Sequence, residues 1–146
     1  MAVDVDRWVD LARSSLVSEG AAGELTLNFV DRDEIAALNV EHLGGTGPTD
    51  VLSFPMDDGD VDPGVPRLLG DVVISPAVAA AQFADHAGTL DDELALLVVH
   101  GLLHVLGYDH AEAAEAEAMR TRERDLLVEH HWSGPPPPTF RHTHES

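Results

Sequence analysis

The sequence has no cysteine and no lysine, and these two absences exclude several kinds of chemistry. All 8 basic residues are arginine, which excludes a phosphate-loop lysine, a Schiff-base lysine and a lysine-rich nucleic-acid arm. Without cysteine there are no disulfides, thiolate nucleophiles, iron–sulfur ligands or cysteine-ligated zinc sites. Carboxylates, hydroxyls, a few arginines and 9 histidines remain available for catalysis.

The chain also lacks a long hydrophobic run. Its longest apolar stretch, residues 94–108, is interrupted by two histidines and is shorter than the roughly 20 residues that span a bilayer. The first residues, MAVDVDR, carry acids where a signal peptide has a basic stretch followed by an apolar run. These features predict a cytoplasmic protein with no membrane association.

Length and hydrophobic content favour one small domain. A chain of 146 residues with 44% hydrophobic residues can bury a single core without disulfides or other staples. Strand-like and helix-like segments are mixed without regular alternation, which indicates the α+β class. We expect the folded domain to cover residues 1–131, and the proline- and histidine-rich residues 132–146 to form a flexible tail.

Local patterns place the main elements. Residues 24–29 alternate polar and apolar side chains, and residues 51–54 and 70–75 also have strand-like composition. Asp31 is a predicted cap for one helix, and Thr89 is the predicted cap for a longer helix that ends near Gly107. The long helix is apolar on every side, which is typical of a buried helix.

Three histidines define the most informative segment, HGLLHVLGYDH at residues 100–110. His100 and His104 are four residues apart and therefore lie on the same face of the buried helix. Gly107 can turn the chain back and bring His110 towards them. Three imidazoles with an open fourth position are the usual ligands of a catalytic zinc ion. Separate core or surface histidines are the alternative interpretation.

The spacing of these histidines also matches that of metzincin peptidases, but an essential residue is missing. A metzincin has its glutamate general base directly after the first histidine. This chain has Gly101 there, so a peptidase of that kind is excluded.

Three segments of the chain resemble the YbeY family, bacterial single-strand-specific endoribonucleases also known as rRNA maturation factors. They are residues 100–110, PTDVLSFP at residues 48–55 and LLGDVVIS at residues 68–75, and Leu38–Asn39 precedes the second segment as expected. The resemblance extends over roughly residues 5–130. It implies a mixed sheet beside a central histidine-bearing helix, and we expect about four strands covered by helices.

The resemblance also implies a function. It implies one Zn²⁺ per chain on His100, His104 and His110, and action on single-stranded rRNA in ribosome maturation and quality control. The small ribosomal subunit and ribosome-associated proteins are the implied partners, with no DNA. The family commonly has an arginine shortly before the Pro-Thr-Asp segment, and alignment from Leu38–Asn39 puts Leu43 at that position in this chain. Imidazole ligands also suit copper, nickel and iron, so the sequence does not fix the metal.

No general base is assigned by the sequence, although three aspartates are candidates. Asp50 and Asp71 stand at strand starts, where they either bond a turn or support a metal ligand and its water. Asp109, beside His110, is either a turn former or a base.

Three further residues are candidates for the substrate cleft. Thr49 and Ser53 either line the cleft or bond the backbone. Arg67, just before the third strand, is the best-placed cation for a substrate phosphate, and the alternative is an ordinary surface arginine.

A formal net charge of −19 limits how RNA is recruited. Neutralisation of phosphates by basic residues supplies most non-specific affinity, and residues 76–110 contain no arginine. We expect weak binding of free RNA and delivery of the strand by the ribosome or a protein. One alternative function is a metal-stabilised ribosome-binding factor with little or no nuclease activity, and another is a hydrolase of small substrates or peptides.

Overall fold

Three strands and five α-helices form the part of the chain that this computed structural model describes, residues 3–45, 47–56, 68–108 and 112–140. The helices are α1 (Val5–Ser18), α2 (Arg32–Leu43), α3 (Pro76–Gln82), α4 (Leu90–Val105) and α5 (Ala113–Leu127). The strands are β1 (Glu24–Phe29), β2 (Val51–Pro55) and β3 (Leu68–Ile74). A 3₁₀ turn at Phe83–Asp85 follows α3, and a π-helical turn at Val128–Trp132 extends α5.

The strands form one mixed sheet in the order β1-β3-β2. Strand β1 runs parallel to β3, and β2 runs antiparallel to it. The α+β class and the mixed sheet are therefore confirmed. The expectation of about four strands is wrong, because the described residues contain three strands and the other regular segments are helical.

Alternation along β3 gives the sheet two apolar faces. Val72 and Ile74 belong to the main core that α4 completes. Val73 points the other way and packs with Leu52 of β2 and Ile35 of α2 in a smaller cluster. The sheet is thus covered by α4 on one face and by α2 on the other.

Helix α4 is the centre of the molecule. It begins as predicted, with the Thr89 hydroxyl accepting a hydrogen bond from the Asp92 backbone N–H at 3.1 Å. Every residue from 92 to 103 is buried, because β2, β3, α1, α3 and α5 all contact this helix. The prediction of a central buried helix is confirmed. Across the described residues, the structure has no helix with both the length and the hydropathy needed to cross a membrane.

Gly101 lets the sheet approach α4 closely. A Cβ atom at this position would lie 2.6 Å from Val72 Cγ1 and 3.2 Å from Val51 Cγ2. Neither contact is tolerable without a shift, so a glutamate at this position would collide with the sheet. The metzincin-like base is therefore excluded by packing as well as by sequence.

The segment after α5 returns to the core. The Trp132 indole N–H donates a hydrogen bond to Asp92 Oδ1 at 2.8 Å, and the Trp132 and Phe140 rings meet edge to face at 4.7 Å. Both rings pack against the main core. The boundary predicted at residue 131 stays a prediction, and residues 141–146 lie outside the described part of the chain.

Candidate metal centre

His100 and His104 lie side by side on α4, one helical turn apart. Their ring centroids are 4.5 Å apart with the rings nearly perpendicular, and the two Nε2 atoms are separated by 3.1 Å. His100 is buried at 3% exposure, and His104 is half-buried. The helix therefore aims the two Nε2 atoms at one shared point.

A separate acceptor holds the other nitrogen of each ring. His100 Nδ1 donates to Glu123 Oε2 at 2.7 Å, and His104 Nδ1 donates to the backbone carbonyl oxygen of Tyr108 at 3.0 Å. Since a carboxylate and a carbonyl only accept hydrogen bonds, each Nδ1 carries the proton and each Nε2 presents a lone pair. This arrangement fixes the tautomer in which imidazole commonly binds a metal through Nε2.

The separation of the two Nε2 atoms fits two ligands of one metal ion. Two lone pairs at 3.1 Å repel each other unless a proton or a cation lies between them. Two nitrogens on one tetrahedral zinc ion, with bonds of roughly 2.0–2.1 Å, lie about 3.3 Å apart. The donor chemistry and the spacing of His100 and His104 therefore suit zinc or a similar divalent ion.

Glu123 is the residue of this site that sequence reasoning missed. It is 5% exposed and lies on the same face of α5 as the buried residues Met119, Leu126 and Leu127. A carboxylate at an apolar-face position is costly to bury without a partner, which was the signal available in the sequence. The contact between Glu123 and His100 could not be predicted from the sequence, because the two residues lie on different helices.

A cavity of about 380 Å³ opens beside the two histidines. Thr49 and Ser53 line it, and Leu43 lines it at the end of α2. The remaining walls are His100, His104 and the apolar residues Val51, Leu52 and Pro55. The cavity lining in the described part of the chain includes neither a carboxylate nor an arginine.

The two hydroxyls of this cavity also bond to the protein. Ser53 Oγ donates to the Gly101 carbonyl oxygen of α4 at 3.1 Å, which ties β2 to the histidine helix. Thr49 Oγ1 makes a longer contact of 3.5 Å with Asp50 Oδ1. Ser53 therefore both lines the cavity and bonds the backbone, so the two alternatives for this residue do not exclude each other.

Asp50 and Asp71 have different surroundings from the two histidines. Asp50 is 8% exposed and accepts a hydrogen bond from Gln82 Nε2 at 2.7 Å. Asp71 lines a separate cavity with His42 and Val73, on the α2 side of the sheet. Strand alternation turns Asp71 to the face opposite Val72, and Val72 is the neighbour of α4.

The remaining predicted site residues, Arg67, Asp109 and His110, lie outside the described part of the chain. Two of the three predicted metal ligands are thus described. The glycine that was expected to turn the chain after α4 does so, since Gly107 has φ = +102°.

A second group of possible metal ligands lies at the N-terminal end of α4. Ligand atoms of Asp50, His86 and Glu93 all lie within 4.8 Å of one another, so this cluster could hold a metal ion. Gln82 Nε2 donates to both Asp50 Oδ2 and Glu93 Oε2, at 2.7 and 3.1 Å. The Gln82 amide therefore already bridges the two buried carboxylates, a place that a cation would otherwise take.

Tyr108 connects the histidine pair to a charged cluster. Burial, the hydrogen bond to Glu19 and the negative charge of Glu19 raise the pKa of the Tyr108 phenol, while the Arg122 charge acts in the opposite direction. The phenol therefore stays protonated at neutral pH. Arg122 in turn binds Glu19 through Nε.

The sequence of this chain is similar to those of known proteins. The family model described as Endoribonuclease YbeY matches residues 2–131. The endoribonuclease YbeY of Salinispora tropica is 46% identical over 137 residues, which cover 86% of this chain and 87% of the relative. The protein of the same name from Acidothermus cellulolyticus is 48% identical over 139 residues, covering 86% and 84% of the two chains.

A solved structure is similar over nearly the same length. The solution structure of TM1509 from Thermotoga maritima matches with a TM-score of 0.60 at 25% identity. The match covers 91% of this chain and 88% of that protein. The similarity therefore includes the sheet and the helices that position the two histidines.

Proposed function

Because this chain belongs to the YbeY family of endoribonucleases and is thus a nuclease of the hydrolase class, we propose that it is zinc-dependent and specific for single-stranded rRNA. Its proposed roles are rRNA maturation and ribosome quality control, in the cytoplasm where ribosomes assemble. The observation that carries the zinc proposal is the pair of Nε2 atoms 3.1 Å apart, each on a ring whose Nδ1 is held by an acceptor.

His100, His104 and the predicted third ligand His110 would hold the metal. A zinc ion bound there supplies Lewis acidity towards a phosphoryl oxygen. Glu123 and the Tyr108 carbonyl keep both described histidines in the binding tautomer. Thr49 and Ser53, which also line the cavity, are proposed to contact the RNA strand.

The shape of the cavity favours an unpaired strand. Four of its eight lining residues are aliphatic, and it lies between α4 and the β2 edge of the sheet. Bases that are free of a duplex can enter such a cleft, whereas the bases of a helix remain stacked and paired. We therefore propose that specificity for single strands comes from this access requirement.

The metal content of the purified protein tests the proposal. Native mass spectrometry after chelator-free purification should find one zinc ion per wild-type chain and none in His104→Ala. The control is His42→Ala, since His42 lines a different cavity. Wild-type protein without any bound metal would overturn the zinc proposal.

The reaction products test the nuclease proposal and its route. Zinc-loaded protein should cleave single-stranded RNA much faster than duplex RNA, and His104→Ala should not cleave either. A 2′,3′-cyclic phosphate end would show attack by the ribose 2′-hydroxyl, and cleavage at a 2′-deoxy linkage would show attack by water. Zinc-loaded wild type that cuts no more RNA than His104→Ala would contradict the proposal.

One observation favours a second candidate function, a ribosome-binding factor with weak or no nuclease activity. Leu43 lines the cavity where the related family commonly has an arginine, and no arginine lines it in the described part of the chain. In that case His100→Ala would lower thermal stability and ribosome binding together. The wild type would then show no turnover even when fully loaded with zinc.

A further inference from the structure

A second cavity, of about 370 Å³, lies on the α2 side of the sheet. Leu38 and Val73 supply its aliphatic surface. Its polar and aromatic lining residues are Asn28, His42, Phe54 and Asp71. None of these residues lines the cavity beside His100, which is called the metal cavity below, so the second cavity is a separate site.

Strand pairing places Asp71 on the floor of the second cavity. Phe54 of β2 is the direct partner of Asp71. Asn28 of β1 pairs with Val73, two residues further along β3. Because paired residues and residues two apart share one face of a sheet, these four side chains all lie on the α2 side. His42 of α2 forms a wall, with its ring nearly perpendicular to that of Phe54 and the centroids 5.8 Å apart.

The half-buried Asp71 carboxylate is not engaged by any of the described residues. In that part of the chain it forms no ion pair and accepts no hydrogen bond, and the Asn28 side-chain amide likewise makes no hydrogen bond there. A carboxylate accepts hydrogen bonds only, whereas an amide both donates and accepts. A ligand that suits the second cavity therefore brings N–H donors to Asp71 and an acceptor to Asn28.

Guanine is the nucleobase whose edge fits these groups best. Its N1–H and N2–H₂ are adjacent donors that one carboxylate can accept together, and its O6 can accept from the Asn28 amide. Adenine and cytosine carry a ring-nitrogen lone pair in place of the N1–H, and a carboxylate repels that lone pair. Uracil has a single N–H between two carbonyl oxygens. The Phe54 ring supplies a surface on which an unpaired base can stack.

The two cavities adjoin each other across β2 and the end of α2. Ser53 lines the metal cavity, whereas the next residue, Phe54, lines the second cavity. Leu43 and His42 of α2 divide in the same way. Because β2 is an outer strand of the described sheet, an unpaired RNA strand that crosses it can place one base against Asp71 and a phosphate beside the metal centre.

We propose that the second cavity binds one unpaired guanine of the substrate, with Asp71 accepting from N1–H and N2–H₂ and Asn28 donating to O6. This proposal rests on the single-strand RNA function proposed above, and it adds a preference for sequence. The arginine side chain of a partner protein is the competing occupant, since a guanidinium also donates to a carboxylate. A guanidinium has no acceptor for the Asn28 amide, and the adjoining metal cavity favours the substrate strand.

Two five-nucleotide RNAs, UUGUU and UUAUU, test the proposal on metal-free protein, in which zinc-dependent cleavage is avoided. We expect UUGUU to bind about 10- to 100-fold more tightly, the usual effect of hydrogen bonds to a charged acceptor, and to shift the NMR signals of the Asn28 amide. Asp71→Asn should remove this preference, because it removes the charge and one of the two acceptors. Asp33→Asn removes the same charge at an exposed position of α2 outside the cavity, so it should keep the preference.

Inosine, which lacks the N2 amine of guanine, tests the same contact on unaltered protein. UUIUU should bind more weakly than UUGUU, because Asp71 then receives one hydrogen bond instead of two. Equal affinities of the wild type for UUGUU and UUAUU would overturn the proposal, and so would an Asp71→Asn variant that keeps the preference. The peptide Gly-Arg-Gly tests the competing occupant. If it shifts the Asn28 and Phe54 signals and UUGUU does not, the cavity binds a protein partner and the proposal is overturned.

These outcomes are separate from those that test the proposed function. Zinc-loaded wild type that cuts no RNA would contradict the zinc-dependent nuclease, while the binding of UUGUU to metal-free protein would still decide the role of the second cavity. Zinc-loaded wild type that cuts RNA, together with equal binding of all three RNAs, would contradict the guanine site alone.

Discussion

At the scale of single residues, the buried Glu123 carboxylate decides how His100 presents its lone pair. The expected effect of Glu123→Gln is a 10- to 100-fold loss of zinc affinity, because a neutral amide is a weaker acceptor for His100 Nδ1. The change should be measured by competition with a metal chelator. Glu117→Gln, at an exposed position of the same helix, is the matched control. Equal zinc affinities for the two variants would show that the Glu123 charge does not support the metal site.

Gly101 is a second residue for which the effect of a substitution on stability can be predicted. A methyl group added there would lie 2.6 Å from Val72 Cγ1, and Val72 belongs to the central strand β3. Gly101→Ala should therefore lower the free energy of unfolding by about 1–3 kcal/mol, the usual cost of overpacking a core. Urea unfolding measures it. Gly134→Ala is the control, because a Cβ atom at Gly134 has no neighbour within 4 Å. If Gly101→Ala leaves the free energy of unfolding unchanged, α4 and the sheet can move apart easily.

At the scale of elements, the segment after α5 yields a prediction about stability. Asp92 Oδ1 accepts from both His131 Nε2 and Trp132 Nε1 at 2.8 Å, so removing Trp132 also deprives a buried carboxylate of a donor. A chain that ends at residue 131 should melt roughly 5–10 °C lower than the full chain by circular dichroism. A chain that ends at residue 140 keeps both packed rings and is the control. If the chain that ends at residue 131 melts at the same temperature as the full chain, the hypothesis that residues 132–146 form a flexible tail would be supported.

The elements themselves could be predicted where the signal is local. Thr89 and Asp31 cap their helices as expected, and Gly107 turns the chain after α4, because each signal depends on a few neighbouring residues. The partners of the site could not be predicted in this way. The contact of Glu123 with His100 and that of Arg122 with Glu19 join residues 23 and 103 positions apart. Only the packing of α5 against α4 and the end of α1 brings these side chains together.

At the scale of the whole molecule, a net charge of −19 opposes the capture of RNA by long-range attraction. Three described arginines pair with acids of this chain, Arg7 with Asp91, Arg13 with Asp10 and Arg122 with Glu19, and none of the other described arginines lines the cavity beside His100. The cavity beside His100 is lined by four aliphatic residues, two hydroxyl residues and the two histidines. Contacts with substrate phosphates should therefore be few, and delivery of the strand by the ribosome becomes more important than collision with free RNA.

Leu43 provides a direct test of this charge argument. It is 52% exposed and lines the cavity with His100 and His104, so Leu43→Arg would add a cation at the place where the strand is proposed to lie. Each added phosphate contact steepens the dependence of the logarithm of the binding constant on the logarithm of salt by roughly 0.7 for a single strand. We therefore expect Leu43→Arg to bind single-stranded RNA more tightly at low salt, with a salt dependence steeper by about that amount.

Val40→Arg is the matched control for Leu43→Arg, because Val40 is 55% exposed on the same helix and the added charge is the same. Binding should be measured by fluorescence anisotropy over a range of salt concentrations, with zinc-loaded protein. A general effect of net charge would change both variants equally, whereas a specific contact in the cavity changes Leu43→Arg alone. Equal salt dependences for the two variants would therefore place the bound strand outside this cavity and contradict the proposed path of the RNA past Thr49 and Ser53.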